Sequence, residues 1–133
     1  MPKQRRRIGT VIFCALIGAA ILSGWGQGVL ADAPRVIHAE ASPNGDGTYT
    51  VTATIRHGDT GWDHYADNFE VMAPDGTMLS RRVLYHPHVN EQPFTRSVQG
   101  VAVPPGLKEV IVRAHDKVHG YGKGAVTIKL PGR

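Results

Sequence analysis

The chain is predicted to fold as an all-β, seven-stranded immunoglobulin-like sandwich behind a secretory leader. Three observations predict it. Apolar residues recur with a period of two; short strand-like runs are separated by Pro/Gly turns; and no convincing helical pattern interrupts them.

The clearest strand is 48–57. Tyr49, Val51, Ala53 and Ile55 fall on one face, and Thr50, Thr52, Thr54 and Arg56 on the other. Such alternation marks a half-buried strand. Strand 35–41 precedes it, across the turn Pro43-Asn44-Gly45-Asp46-Gly47. Strands 68–73 and 77–85 flank Pro74-Asp75-Gly76. Strands 94–103 and 108–116 flank Pro104-Pro105-Gly106, and strand 124–130 closes the domain. These compact turns carry no histidine.

Residues 1–31 are read as a leader outside the fold. Lys3, Arg5, Arg6 and Arg7 form a basic start, Ile8 to Leu22 an apolar run, and Val29-Leu30-Ala31 a small-residue cleavage site before Asp32. That is the secretory signal pattern. The run is shorter than the roughly 20 residues that span a bilayer. Cys14 lies inside it, not at its end, so it does not read as a lipoprotein cysteine. The expected mature domain is 32–133, periplasmic or secreted, with no membrane attachment once the leader is removed.

The leader carries the entire formal charge of +4. The rest has eleven basic side chains against eleven acidic ones, with no basic stripe, which argues against a nucleic-acid partner. Cys14 is the only cysteine, so the mature domain has no disulfide and must be held by its core. It also has no thiolate for a blue-copper site, a nucleophile or an iron–sulfur cluster. Serine hydrolysis has no G-x-S-x-G, and Ser42, Ser80 and Ser97 have no evident base. There is no phosphate loop.

Histidine is what remains. His57, His64, His86, His88, His115 and His119 lie at strand ends or in the longer connections 58–67, 86–93 and 117–123. These are alternate connections of an antiparallel sandwich, so they emerge at one end. His38 lies near the start of the first strand, which begins at that end. Imidazole is the commonest protein metal ligand, so a metal site leads the functional reading. His57 and His64 can face one ion across a loop. Asp116 and His119 are three apart at a glycine-rich turn. His86-Pro87-His88 can chelate in extended chain, with Glu91 nearby. His115 has the opposite strand parity from Asp116. The bland alternatives are a polar loop lidded by Trp62, an Asp116 that bonds its own backbone, and a hydrogen-bonded His38. Such ligands suit Fe(II), Zn(II), Cu(II) or Ni(II) without choosing among them.

The motif order resembles the superoxide reductases, the ferrous-iron domain of desulfoferrodoxin and neelaredoxin. That family's Glu-His-[His/Tyr] after a strand-end histidine is similar to Asp63-His64-Tyr65 after His57, followed by Phe69-Glu70. Its Cys-Asn-x-His-Gly is similar to Asp116-Lys117-Val118-His119-Gly120. The resemblance covers about residues 35–125 and implies mononuclear iron. It implies His57, His64 and His119 as ligands, with His38 matched to the family's first histidine. The axial cysteine position reads Asp116, Val36-Ile37 replaces a Glu-Lys pair, and the His57–His64 loop is one residue longer. The expectation is therefore a metal-binding protein first and a mononuclear iron redox enzyme second, with a periplasmic redox or metal-transport partner. A third reading is a metal-free module binding through Trp62, Tyr65, Tyr85 and Tyr121.

Overall fold

A computed structural model describes residues 33–133, so the leader expectation lies outside the described residues. The elements are β1 (Arg35–Pro43), β2 (Thr48–Arg56), β3 (Ala66–Met72), β4 (Met78–Val83), β5 (Phe94–Ala102), β6 (Glu109–Asp116), β7 (Gly120–Tyr121) and β8 (Val126–Lys129). Seven match the expected strands. The eighth, β7, is two residues long, too short to leave a periodicity.

The strands form two antiparallel sheets. One has the order β1-β2-β5; the other runs β4-β3-β6, with β7 and β8 both pairing the far side of β6. The sheets pack their inner faces together. Val51 and Ile55 from β2 meet Phe69 and Val71 from β3 and Val110, Val112 and Ala114 from β6 in one buried cluster. At about 25 cal/mol per Å2 of apolar surface removed from water, this burial is the main stabilising term of a domain without disulfides.

Two inward rows position the site. In β2, Tyr49, Val51, Ala53 and Ile55 are buried, and the same parity continues to His57 one residue past the strand. In β6, Val110, Val112 and Ala114 are buried, and the row ends on Asp116. A period of two thus aims both polar side chains at the interior from opposite sheets.

The connection that carries His119 is held close by a glycine. A Cβ on Gly122 would lie 1.8 Å from the carbonyl oxygen of Pro34. Only glycine lets residues 117–124 pack this tightly against the start of β1.

Candidate metal centre

Asp116 is the centre of the cluster. It is fully buried, and its Oδ1 accepts the backbone N–H groups of Val118, at 2.7 Å, and of His119. These bonds bend the chain after β6 into the turn that carries His119. Three imidazole nitrogens meet its other oxygen. Relative to Oδ2, His57 Nε2 lies at 3.1 Å, His119 Nδ1 at 3.1 Å and His64 Nε2 at 3.4 Å. The ligand atoms of His57, His64 and Asp116 all lie within 4.8 Å of one another.

His64 reaches the cluster from the 58–67 loop. Its amide donates to the Gly61 carbonyl and its own carbonyl accepts from Thr60, a tight reversal that returns the chain toward His57. The two rings meet edge to face at 4.7 Å between centroids, and the His119 ring is 5.0 Å from that of His64. His64 Nε2 is buried with no hydrogen-bond partner, its approach to Asp116 falling outside hydrogen-bond geometry. A buried polar atom without a partner costs about 1–3 kcal/mol, so it marks a place for a further group.

The donor types suit a small divalent ion; His57, His64 and Asp116 form the group whose ligand atoms lie together, and the exposed His119 joins it only through its contact with Asp116. Bonds of about 2.0–2.2 Å to nitrogen and oxygen place neighbouring ligand atoms of a tetrahedron about 3.3 Å apart. The nitrogen-to-oxygen separations already have that size. Burial alone would raise the Asp116 pKa. The amides of His119 and Val118 and the imidazoles outweigh it and hold the carboxyl below its ordinary value, as a ligand requires.

Asp59, which the sequence reading did not single out, sits directly behind His57. It is buried, and Oδ1 accepts from His57 Nδ1 at 2.5 Å and from the Ala66 amide at 3.0 Å. Its Oδ2 accepts the His88 amide at 2.7 Å. Burial alone would raise its pKa. The hydrogen bonds from His57, His88 and Ala66 prevail and keep it below the usual carboxylate range. Gln92 adds a second tie: its Oε1 accepts the His57 amide, and its Nε2 donates to the His88 carbonyl. An aspartate two residues past a strand-end histidine reads as ordinary turn chemistry, and only the fold brings residues 88 and 92 to it.

The other candidates are placed elsewhere. His38, expected as a possible ligand, lies in β1 with its side chain 66% exposed. Its Nε2 is 3.9 Å from Glu40, and it takes no part in the cluster contacts. Its neighbours Val36 and Ala39 are buried, and a register shift between Val36 and His38 leaves the histidine on the outside. His115, whose opposite parity separates it from Asp116, pairs with Asp67 at 2.5 Å. His88 stacks on Phe94, 4.0 Å between centroids, and burial with nearby Arg96 and His86 lowers its pKa. His86 is exposed, and Glu91 pairs with Arg96 at 3.0 Å. Trp62 and Tyr85 are 63% and 77% exposed, while the Tyr121 hydroxyl donates to Glu70.

No protein-family model matches the chain. It is similar to a protein of Halomicrobium mukohataei named "Putative lipoprotein", 44% identical over 77 residues. That match covers 58% of this chain and 37% of the relative, so the chain spans little more than a third of the relative's length. Among solved structures, a hypothetical protein from Pyrococcus horikoshii OT3 superposes with a TM-score of 0.45 and 14% identity. The overlap covers 75% of this chain and 88% of that one.

Proposed function

We propose that the protein is an exported binder of one divalent transition metal, held by His57, His64, His119 and Asp116. The convergence of three imidazole nitrogens on one buried carboxylate oxygen carries this reading, with His64 Nε2 left without a partner. Export rests on the leader-like first 31 residues, and the name of the Halomicrobium relative agrees with it. Iron is the metal that the superoxide-reductase resemblance implies, and copper or zinc suits the same donors. The partner would be a periplasmic redox or metal-transport protein.

Asp116 favours binding over superoxide reduction. A carboxylate is a harder and weaker electron donor than the thiolate that the resembled family carries at this position. The second reading, a mononuclear iron redox enzyme, rests on that resemblance together with the same ligand set.

Isothermal titration of the purified protein with Fe(II), Zn(II), Cu(II) and Ni(II) at neutral pH tests the proposal. The expected result is about one equivalent bound for at least one of them. Heats of dilution alone for all four overturn it. Rapid catalytic decay of superoxide by the ferrous-loaded protein would promote the enzyme over the binder.

A further inference from the structure

The contacts of Asp59 differ from those of an ordinary turn aspartate. Its side chain is fully buried, and among the described residues its ionisable partners are histidines, with no lysine or arginine. One oxygen meets the ring nitrogen of His57 that faces away from the cluster, and the other holds the backbone of a different loop at His88. His57 therefore lies between two carboxylates, Asp59 at Nδ1 and Asp116 at Nε2.

We propose that Asp59 is the positioning residue of the metal centre: it holds the proton of neutral His57 on Nδ1, leaves Nε2 as the ligating nitrogen, and anchors the 86–93 loop behind the site. The inference rests on the metal-binding reading for its purpose, though not for its geometry.

Two comparisons favour this assignment. The Nδ1 contact, at 2.5 Å, is shorter than the Nε2 contact, at 3.1 Å. Asp116 Oδ2 also has His119 Nδ1 as a competing donor at 3.1 Å, whereas Asp59 Oδ1 shares only with a backbone amide. A neutral imidazole has one ring proton, and the hydrogen bond made by one nitrogen fixes the role of the other. A carboxylate behind a ligating histidine orients the ring and raises its basicity, and loss of such a partner weakens metal binding by about 10–100-fold. Asp59 Oδ2 extends the support, because the His88 amide and the two Gln92 contacts tie the 86–93 loop to the backbone and ring of His57.

Nitrogen-15 spectra of the imidazole rings test the assignment without metal. In metal-free protein, at a pH where the His57 ring signals report a single ring proton, that proton should lie on Nδ1. A proton on Nε2 overturns the proposal. Asp59→Asn presents an amide N–H or a weaker neutral acceptor to His57 and should shift that tautomer equilibrium. It should also weaken Zn(II) binding by about 10–100-fold. A folded Asp59→Asn protein with unchanged tautomer and unchanged Zn(II) affinity overturns it. If the variant does not fold, the wild-type tautomer decides. If wild type binds no Zn(II), the zinc reading fails separately, and the ring spectra still decide the placement of the His57 proton.

Discussion

The ring of His57 and the carboxylate of Asp116 meet across the two sheets, 3.1 Å apart, each at the end of an inward-facing strand row. One row belongs to the β1-β2-β5 sheet and the other to the sheet built around β6. An ion shared by these residues would therefore staple one sheet to the other.

Metal should accordingly stabilise the fold. Ligand that binds only the native state adds about 2.7 kcal/mol at a concentration 100 times its Kd. Urea unfolding with and without Zn(II), followed by chelation with EDTA, checks this. Coincident transitions in the two conditions would detach the cluster from any metal role.

The histidines should rank by their place in the cluster. His64→Ala or His119→Ala should weaken Zn(II) binding about tenfold or more, since each removes a ligand. His38→Ala should leave affinity unchanged, because its ring lies on the outer surface beside Glu40. Titration calorimetry on the three variants gives the order directly. A larger loss for His38→Ala would mean that the first strand rearranges around the ion.

Acid should release the metal before it unfolds the protein. A ligating imidazole must be neutral, so protons compete with the ion. Affinity should fall as the pH is lowered from neutral into the mildly acid range, because protons displace the ion from its nitrogens. The Asp116 carboxyl, held below its ordinary value, stays ionised over that range and so does not set the slope. Flat Zn(II) affinity across that range would exclude histidine ligation.

A separate acid-sensitive element lies in the second sheet. Glu70 is buried and accepts hydrogen bonds from Arg81, from Arg113 at 2.8 and 3.0 Å, and from the Tyr121 hydroxyl at 2.6 Å. Burial alone would raise its pKa, but those three donors outweigh it and depress the folded value. A depressed carboxyl contributes stability above its unfolded pKa and loses it as pH falls through the folded one. Glu70→Gln should therefore cost about 2 kcal/mol at neutral pH, the size of one or two charged hydrogen bonds. The deficit should shrink below about pH 4. Thermal melts of both proteins at pH 7 and pH 3 measure it.

The sandwich and the histidine-bearing end were legible because both depend on strand parity and turn chemistry. The alternation that leaves Thr50, Thr52 and Thr54 half-buried also fully buries Tyr49, Val51, Ala53 and Ile55. The Pro/Gly turns separate one end of the domain from the other. Which histidines meet was only partly legible. His57, His64 and His119 come together around Asp116, but nothing in the spacing excluded His38, whose outward aim depends on a register shift in β1. Asp59 and Gln92 were hidden for a different reason. The contacts that join them to distant parts of the chain, Asp59 to His88 and Gln92 to His57, span 29 and 35 positions, and such pairings leave no local pattern.

The two inward rows have a consequence for how this chain can vary. A single-residue insertion or deletion within β2 would turn His57 to the solvent side, along with every hydrophobic side chain between the slip and the strand end. The same holds for β6 and Asp116. Relatives that keep the cluster should therefore change these strands only in steps of two residues, or absorb an odd change in a bulge. Length variation should collect instead at the opposite end of the sandwich, in the histidine-free turns, where an added residue disturbs neither ligand.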